Sequence, residues 1–266
     1  MDKKLGFIGC GNMGAAMVGG IINSGIVSKE NIIASTKTKS SSEALESKFG
    51  IRTTTDNKKI AEEADIIFLA VKPFMYEAVI EEIRDLIKKD AIVVTIAAGI
   101  EIDKVKAWFN RDIKLIKTMP NTPALVGEGM SAICPSDNVP QEELEYIISI
   151  FNSFGKTEIL GESDFHGFIA LCGSSPAYVF MFIEAMGDAA VKMGIPRKKA
   201  YRLAAQAVLG SAKMVLETEK HPGELKDMVC SPRGTTIEAV IELEKSGMRS
   251  SIIKAMEKCE EKSKNM

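Results

Sequence analysis

The sequence predicts an α/β protein, with a doubly wound sheet over residues 1–161 and an all-helical domain over residues 162–266. In the first part, short runs rich in Val, Ile, Phe and Thr alternate with helical patterns, which is typical of strands joined by crossover helices. Some runs, such as residues 66–71, are apolar without alternation, which indicates strands covered on both faces. After residue 162 the patterns predict helices alone.

The elements of the first domain follow from these patterns and from the turn residues between them. Strands are predicted at Lys4–Ile8, Asn31–Ser35, Arg52–Thr54, Ile66–Ala70, Ile92–Ile96, Lys114–Thr118, Met130–Cys134 and Thr157–Leu160. Helices are predicted at Asn12–Ser24, Ser41–Phe49, Asn57–Glu63, Met75–Ile87, Ile102–Phe109 and Gln141–Phe154.

The second domain begins with one long predicted helix, Asp164–Met193, which is apolar on most sides and ends at the stop signal Gly194-Ile195-Pro196. Further helices are predicted at Arg197–Glu217, Glu224–Val229, Thr236–Glu244 and Ser250–Ser263. A helix that is apolar all round must be buried, and so short a helical domain cannot bury it alone. We therefore expect a homodimer through this domain; packing on the first domain alone is the alternative.

Composition indicates a protein that acts on a small molecule. The 266 residues are 45% hydrophobic and 26% charged, and the formal net charge is −2, so no basic field favours nucleic acid or an anionic membrane. No apolar run is expected to cross a bilayer, and the start Met1-Asp2-Lys3-Lys4 leads into a strand without a targeting segment. The five scattered cysteines and two histidines predict a reducing cytoplasm and no metal site.

The turn Gly9-Cys10-Gly11-Asn12-Met13-Gly14 has the spacing of a dinucleotide-binding (Rossmann-type) turn. The first glycine permits the tight turn, the second lets the backbone touch a pyrophosphate, and the third lets the helix pack close to the strand. The turn follows a predicted strand ending at Ile8 and opens a helix whose free N–H groups favour phosphate. We expect Ile8 and this turn to bind a nicotinamide cofactor; a tight turn without ligand is the alternative.

The end of the second predicted strand favours NADP(H). An NAD site usually places Asp or Glu there, where it bonds the ribose 2′-hydroxyl. The segment Ser35-Thr36-Lys37-Thr38 has hydroxyls and a cation but no acid, so it suits a 2′-phosphate. A hydroxyl-rich loop is also typical of a solvated turn, so NAD(H) remains the alternative cofactor.

Other strand ends are expected to line the cofactor, because ligands of open α/β sheets bind beyond the carboxyl ends of the strands. These ends are Ala70-Val71-Lys72-Pro73, Ile96-Ala97-Ala98-Gly99 and Lys117-Thr118-Met119-Pro120-Asn121-Thr122-Pro123. We expect Lys72 to contact the cofactor; a solvated loop lysine is the alternative. Asn121 could offer its amide either to the nicotinamide end or to its own turn.

The sequence resembles the pyrroline-5-carboxylate reductase family nearly from end to end. The segments that carry the resemblance are Phe7–Gly14, Phe68–Pro73, Met119–Pro123, Gly173–Tyr178, His221–Asp227 and, most specifically, Ser231-Pro232-Arg233-Gly234-Thr235-Thr236-Ile237. The resemblance implies a cofactor domain followed by a helical domain that intertwines with its twin. It implies that each pocket combines the cofactor domain of one subunit with the helical domain of the other.

The resemblance also implies residue roles. Thr36, Lys37 and Thr38 would meet the 2′-phosphate, and Asn57, Ala70, Val71, Lys72 and Ala98 would line the cofactor. Glu162, Gly234, Thr235 and Thr236 would form the substrate pocket. The sequence departs from the family pattern at Lys117, Ser175 and Arg233, where the family often has arginine, glycine and glycine.

The implied reaction is hydride transfer from NADPH to the C=N bond of 1-pyrroline-5-carboxylate, which gives L-proline in the last step of proline biosynthesis. Thr236, the predicted catalytic residue, would hydrogen-bond the ring nitrogen, and the backbone N–H groups of Gly234–Thr236 would bind the carboxylate at a helix N-terminus. This pocket offers no strong Brønsted acid, which suits an imine that enters already protonated. A related cyclic imine, and a ring-like assembly larger than the dimer, remain open.

Two other classes compete. A β-hydroxyacid or 6-phosphogluconate-type dehydrogenase shares the architecture but needs a base for its alcohol substrate, and the segment Gly167–Pro176 has no lysine to supply one. A non-catalytic cofactor-sensing relative could keep the glycine turn but lose the pocket segment Ser231–Ile237, which is present here.

Overall fold

The computed structural model describes residues 3–265 and divides into two compact units. Unit 1 comprises the chain up to Ser174 together with the residues from Glu260 onward, and unit 2 spans Ser175–Cys259. The boundary at residue 162 stays a prediction. Met1 and Asp2, on which the absence of a targeting segment was partly based, lie outside the described residues, as does Met266.

Unit 1 is built on an eight-stranded sheet with the order β3-β2-β1-β4-β5-β6-β7-β8. The strands are β1 Leu5–Ile8, β2 Ile32–Ser35, β3 Arg52–Thr54, β4 Ile66–Leu69, β5 Ile92–Thr95, β6 Lys114–Met119, β7 Gly129–Pro135 and β8 Gly155–Ile159. The order reverses between β1 and β4, and all pairs from β3 to β6 are parallel. This arrangement confirms the predicted doubly wound sheet and gathers the carboxyl ends of these strands at one edge.

The last two strands run opposite to the first six. β7 pairs antiparallel with β6, and β8 pairs parallel with β7. The connection from β6 to β7 contains only the short 3₁₀ turn Thr122–Val126. A parallel crossover needs roughly a dozen residues or more, usually with a helix, so this short connection reverses the chain.

The helices of unit 1 cover both faces of the sheet. They are α1 Asn12–Ser24, α2 Lys39–Phe49, α3 Asn57–Glu63, α4 Tyr76–Ile83, α5 Ile102–Phe109, α6 Gln141–Asn152 and the single-turn α7 Phe165–Phe168. The predicted helix Met75–Ile87 is shorter than expected, since Pro73–Met75 forms a 3₁₀ turn before it and the helix ends at Ile83.

Two apolar clusters fill the space between the sheet and its helices. Leu5 and Phe7 belong to the cluster that includes α1 and α6, whereas Ile8 belongs to the cluster that includes α3 and α4. Phe7 stacks on Phe68 of the neighbouring strand with ring centroids 4.5 Å apart. Alternate residues of the central strands therefore face opposite layers, which explains why these strands are continuously apolar.

Unit 2 is helical, as predicted. Its helices are α8 Ser175–Lys192, α9 Arg197–Thr218, α10 Pro222–Val229, α11 Thr235–Lys245 and α12 Met248–Lys264, whose last residues belong to unit 1. Helices α8 and α9 approach closely at Gly187, where an added Cβ would lie 2.5 Å from the ring of Tyr201. Apolar side chains remain exposed on this unit, including Phe180 at 63% and Leu216 at 80% of their full exposure.

The predicted helix over Asp164–Met193 is helical along nearly its whole length, but it is not a regular α-helix throughout. The segment begins as a 3₁₀ turn, continues as α7, widens into a π-helix at Ile169–Gly173 and then becomes α8. Pro176 has no N–H to donate to the carbonyl of Cys172, so the α-helical pattern cannot continue through it. The wider turn closes instead with a hydrogen bond of 2.8 Å from Ser174 N–H to Ile169 O.

The sequence analysis expected no apolar run to cross a bilayer, but one helical segment is long and apolar enough to do so by length and composition. The helical segment Glu162–Lys192 has 31 residues and a mean hydropathy of 1.5 in its most apolar window, and little of that window is buried. By length and composition alone it could span a membrane. The same features fit a helix whose apolar surface is covered by another protein chain.

Candidate functional site

The glycine turn after β1 has the backbone geometry that phosphate binding needs. Gly9 has φ +79°, which side-chain-bearing residues rarely adopt. Gly11 is the N-cap of α1 and provides no side chain to cap the first N–H groups of the helix, and the first turn of α1 has no acidic residue. An added Cβ at Gly11 would meet no described atom within 4 Å. The helix N-terminus is therefore open to an anion.

The turn packs directly against the chain that follows β4. An added Cβ at Gly9 would lie 2.6 Å from Cγ1 of Val71, and one at Gly14 would lie 3.2 Å from Gly9 O and 3.6 Å from Ala70 Cβ. Gly9 is therefore required by its positive φ and by this close approach, whereas Gly14 allows the tight packing of α1 against the turn. The structure brings together the glycine turn and the corner Ala70–Val71, and the cofactor contact of this corner stays a prediction.

A polar network joins the glycine turn to β2 and α3. The Ser35 hydroxyl accepts a hydrogen bond from Gly9 N–H at 3.4 Å and donates one to Asn57 Oδ1 at 2.7 Å. The amide of Asn57 donates to Glu82 Oε2 at 2.9 Å. Asn57, predicted as a cofactor residue, is thus fixed at the edge of the turn. The network also includes Glu82, which the sequence did not single out.

The carboxyl end of β2 carries hydroxyls and no carboxylate. The buried Thr36 hydroxyl donates to Thr38 O at 2.9 Å and lies 2.8 Å from the Ser42 hydroxyl. Thr38 caps α2 by accepting from Ser41 N–H at 3.3 Å, and the first turn of α2 has no acidic residue. Lys37 between them is exposed. This end offers a cation and a helix N-terminus, which suits a 2′-phosphate.

Tyr76 links the next two strand ends, a role that no local pattern in the sequence indicated. Its buried hydroxyl donates to Leu69 O at 2.5 Å and accepts from Ile96 N–H at 3.2 Å. Burial raises the pKa of this hydroxyl well above its usual value, so it remains protonated. The hydroxyl of Tyr76 therefore connects the first residues of the two corners that contain Ala70–Lys72 and Ala97–Ala98. Lys72 itself is exposed.

The side chain of Asn121 bonds to neighbouring backbone within unit 1. Its Nδ2 donates to Cys172 O at 2.9 Å, and its Oδ1 accepts from Met130 N–H at 2.8 Å. Asn121 therefore satisfies the carbonyl that Pro176 cannot bond. Neither of its two predicted partners, the nicotinamide end and its own turn, accounts for these bonds. Its contact with a cofactor stays a prediction.

Glu162 lies in a polar cavity of about 330 Å³ within unit 1. Its Oε1 accepts from Lys117 Nζ at 2.8 Å and from Ile102 N–H at 2.8 Å. Lys117 is almost fully buried and lies 4.9 Å from the ring centre of Phe165. Nearby, His166 Nδ1 lies 2.9 Å from the Ser263 hydroxyl. The carboxylate of Glu162 therefore balances a buried cation and caps α5, and its substrate contact stays a prediction.

The remaining predicted residues lie in unit 2, in the turn before α11. Gly234 is the N-cap of α11 and has no capping side chain, and Thr235 and Thr236 form the first helical positions. An added Cβ at Gly234 would collide with the hydroxyl of Ser231. A side chain at this position would therefore displace Ser231, and the N–H groups of this first turn have no cap from their own N-cap residue.

Metal and thiol chemistry receive no support from the described residues. Between residues 3 and 265, no group of three or more His, Cys, Asp or Glu side chains is placed to bind a metal. Cys10, inside the glycine turn, has its pKa raised to about 12 by burial, so it is a thiol at neutral pH.

The chain matches known proteins over its whole length. Residues 4–99 match the family model of NADP oxidoreductases described as coenzyme F420-dependent, and residues 162–266 match that of pyrroline-5-carboxylate reductase dimerisation. The pyrroline-5-carboxylate reductase of Escherichia coli K12 is 52% identical over 266 residues, covering 100% of this chain and 99% of the relative. The chain belongs to the pyrroline-5-carboxylate reductase family.

Other members of this family agree in sequence and in structure. The pyrroline-5-carboxylate reductase of Methanosarcina acetivorans is 43% identical over 100% of this chain and 98% of its own. The crystal structure of Plasmodium falciparum pyrroline carboxylate reductase with NADP bound superposes with a TM-score of 0.90 at 34% identity, covering 99% of this chain and 98% of that one. A structure from Coxiella burnetii gives a TM-score of 0.92 at 32% identity, with 100% and 98% coverage.

The structure explains one departure of this chain from the pyrroline-5-carboxylate reductase pattern. Arg233, where the resemblance implies glycine, has a φ of +59°. It is the third residue of a turn closed by a 3.0 Å hydrogen bond from Gly234 N–H to Ser231 O. A side chain in this conformation costs about 1–2 kcal/mol relative to glycine. The turn conformation therefore accounts for the usual glycine.

Proposed function

We propose that this chain reduces the C=N bond of 1-pyrroline-5-carboxylate with NADPH and produces L-proline. The observation that carries this proposal is the joint presence of two features. The glycine turn, the Ala70–Val71 corner and the acid-free end of β2 form one cofactor site, and the chain matches the Escherichia coli reductase from end to end.

The chain's residues fit NADPH at each position that the structure describes. The open N-terminus of α1 suits the pyrophosphate, and Gly11 leaves free space where the backbone must approach it. The Thr38 hydroxyl and the exposed Lys37 suit the 2′-phosphate, whereas the buried hydroxyl of Thr36, which was also predicted to meet it, bonds Thr38 O and Ser42. Asn57, Ala70, Val71, Lys72 and Ala98 are proposed to line the rest of the cofactor. When bound, NADPH supplies the hydride.

The substrate is proposed to bind at the turn before α11. Its carboxylate is proposed to bind the backbone N–H groups of Thr235 and Thr236, because the N–H of Gly234 already donates to Ser231 O, and the Thr236 hydroxyl is proposed to hydrogen-bond the ring nitrogen. The iminium form needs no proton donor, so this site works by orientation and by charge complementarity. Glu162 is proposed as a further contributor to the substrate pocket.

The active form is proposed to be a homodimer made through the helical unit. Exposed apolar side chains on unit 2 favour this assembly, because a monomer would leave them in water. They include Phe180, Met181, Leu203, Leu209 and Leu216. We further propose that such dimers assemble into a larger ring and that the protein is cytoplasmic. Its proposed binding partners, apart from its own copies, are small molecules rather than nucleic acid or membrane.

Steady-state kinetics with the purified full chain tests the proposal. The consumption of NADPH is followed with pyrroline-5-carboxylate, and proline is identified as the product. The same assay with NADH measures the cofactor preference, and a panel of hydroxyacids with NAD(P)⁺ tests the dehydrogenase alternative. Turnover with the imine and NADPH is expected. A protein that binds NADPH but does not reduce the imine would refute the proposed reaction.

A further inference from the structure

The loop between β5 and α5, residues 96–101, contains Ala98, one of the proposed cofactor-lining residues. Side chains from elsewhere in unit 1 form hydrogen bonds with the backbone at both ends of this loop. At its start, Ile96 N–H donates to the Tyr76 hydroxyl at 3.2 Å. Just beyond its end, Ile102 N–H donates to Glu162 Oε1 at 2.8 Å. The loop between these points contains Gly99 with φ +73°, and its path depends on both anchors.

Tyr76 connects this loop to the neighbouring corner. Its hydroxyl also donates to Leu69 O at 2.5 Å, at the last residue of β4. Leu69 and Thr95 are register partners in the β4–β5 ladder. The hydroxyl therefore joins the two strands where their own ladder ends, at the edge of the sheet to which the glycine turn belongs.

The ring and the hydroxyl of Tyr76 have separable roles. The side chain is completely buried at the start of α4, in the cluster that includes Ile80 and Ile83. A phenylalanine would fill the same space in this cluster. It would leave Leu69 O and Ile96 N–H without their shared partner, while the rest of the sheet keeps its own hydrogen bonds.

We infer that Tyr76 is a positioning residue for the cofactor: its hydroxyl sets the spacing between the corners Ala70–Val71 and Ala97–Ala98. The residue touches neither cofactor nor substrate and acts through the two corners. This inference rests on the proposed function only in placing NADPH at these corners. Because binding benefits from a site that is ordered in advance, a looser pair of corners weakens NADPH binding.

The test compares Tyr76→Phe with a matched control, Ser136→Ala, in the full-length protein. The buried Ser136 hydroxyl also bridges two groups, accepting from Leu115 N–H at 3.1 Å and donating to Asn138 Oδ1 at 2.7 Å. It lies near the start of β6, away from the carboxyl ends of the parallel strands. Both variants lose a buried hydroxyl, so both are expected to lower the melting temperature.

The measurements are the dissociation constant of NADPH by fluorescence titration, KM and kcat, and amide hydrogen exchange of residues 96–101. For Tyr76→Phe we expect NADPH to bind about 10-fold more weakly, which equals about 1.4 kcal/mol. The KM for the imine should stay within about twofold, since the lost anchor acts on the cofactor side. Exchange over residues 96–101 should accelerate, and added NADPH should slow it again. Ser136→Ala should bind NADPH as the wild type does.

Equal NADPH affinity in Tyr76→Phe and wild type would overturn the inference, as would equal weakening in both variants. If Tyr76→Phe does not fold, the rate of hydrogen exchange at the Ile96 amide of the wild type tests whether the Tyr76 hydroxyl anchors the loop. Exchange as slow as that of the core amide of Val94 supports the anchor, and fast exchange overturns it. NADPH binding is measured without the imine. A wild type that binds NADPH but does not reduce the imine would therefore refute the proposed function and leave the inference about Tyr76 intact.

Discussion

Replacing Gly11 with alanine separates cofactor binding from folding. Gly11 has φ −77° and ψ −157°, a conformation open to alanine, and its added Cβ meets no described atom within 4 Å. The fold can therefore accept the methyl group. If the pyrophosphate approaches the backbone at this point, the methyl group occupies the space that the phosphate needs.

The two effects of Gly11→Ala differ in size. At the N-cap position, alanine stabilises a helix less than glycine does, by roughly 0.5–1 kcal/mol. Alanine also makes the unfolded chain less flexible than glycine does, which favours the folded state by about 0.4–1 kcal/mol and offsets this loss. The melting temperature should change by no more than about 2–4 °C. Displacing the pyrophosphate from a charge-assisted hydrogen bond costs about 1.5–3 kcal/mol. NADPH binding should therefore weaken about 10- to 150-fold.

Fluorescence titration with NADPH and a thermal melt of the same samples measure both effects. Gly167→Ala is the matched control, because its added Cβ also meets no described atom within 4 Å and it lies in α7, outside the glycine turn. The control should bind NADPH normally. A pyrophosphate site at Gly11 is refuted if Gly11→Ala binds NADPH as tightly as the control, or if the variant unfolds many degrees earlier.

Three further predictions concern the 2′-phosphate, the substrate and acid stability. Lys37→Glu should raise the KM for NADPH about 3- to 10-fold and leave the KM for NADH unchanged. Added salt should reduce the effect of the substitution on the KM for NADPH, and equal effects on both cofactors would contradict a role of Lys37 at the 2′-phosphate. Thr236→Ala should lower kcat about 10- to 100-fold with unchanged NADPH affinity, and unaltered kinetics would remove Thr236 from the mechanism. For Glu143, desolvation raises the pKa, but hydrogen bonds from Lys114 and Lys3 outweigh it and lower the pKa overall. Its ionised form therefore stabilises the fold above the unfolded-state pKa of about 4.3, and this contribution is lost as the pH falls through the lowered folded-state value. Urea unfolding at several acidic pH values should show a shallower loss of stability in Glu143→Gln than in wild type.

The cofactor half of the site was predictable because its signals are local. The spacing Gly9-x-Gly11-x-x-Gly14 encodes a backbone turn within a few residues, and the structure has that turn between β1 and α1. The acid-free end of β2 is likewise visible in consecutive residues. In a parallel sheet, the order of strands and helices then places such ends at one edge.

Contacts between distant residues could not be predicted in this way. The bonds from Tyr76 to Leu69 and Ile96 cross seven and twenty residues of chain, and a tyrosine at a helix start gives no local sign of them. Glu162 was assigned to the substrate pocket, yet its carboxylate bonds Lys117, 45 residues away. The reversal of the chain after β6 was not predicted, because the apolar pattern of β7 is the same in either direction.

The sequence by itself determined the alternation of strands and helices, the glycine turn, the hydroxyl-rich end of β2 and the motifs that carry the family resemblance, because each depends on residues close together in the chain. Only the tertiary structure decided where Asn121 donates its amide, why the helix at Ile169–Gly173 widens, and which hydroxyl joins β4 to β5. These features depend on which backbone groups remain unpaired after the chain has packed. Buried polar groups must find partners wherever the fold places them, and no local pattern records that choice.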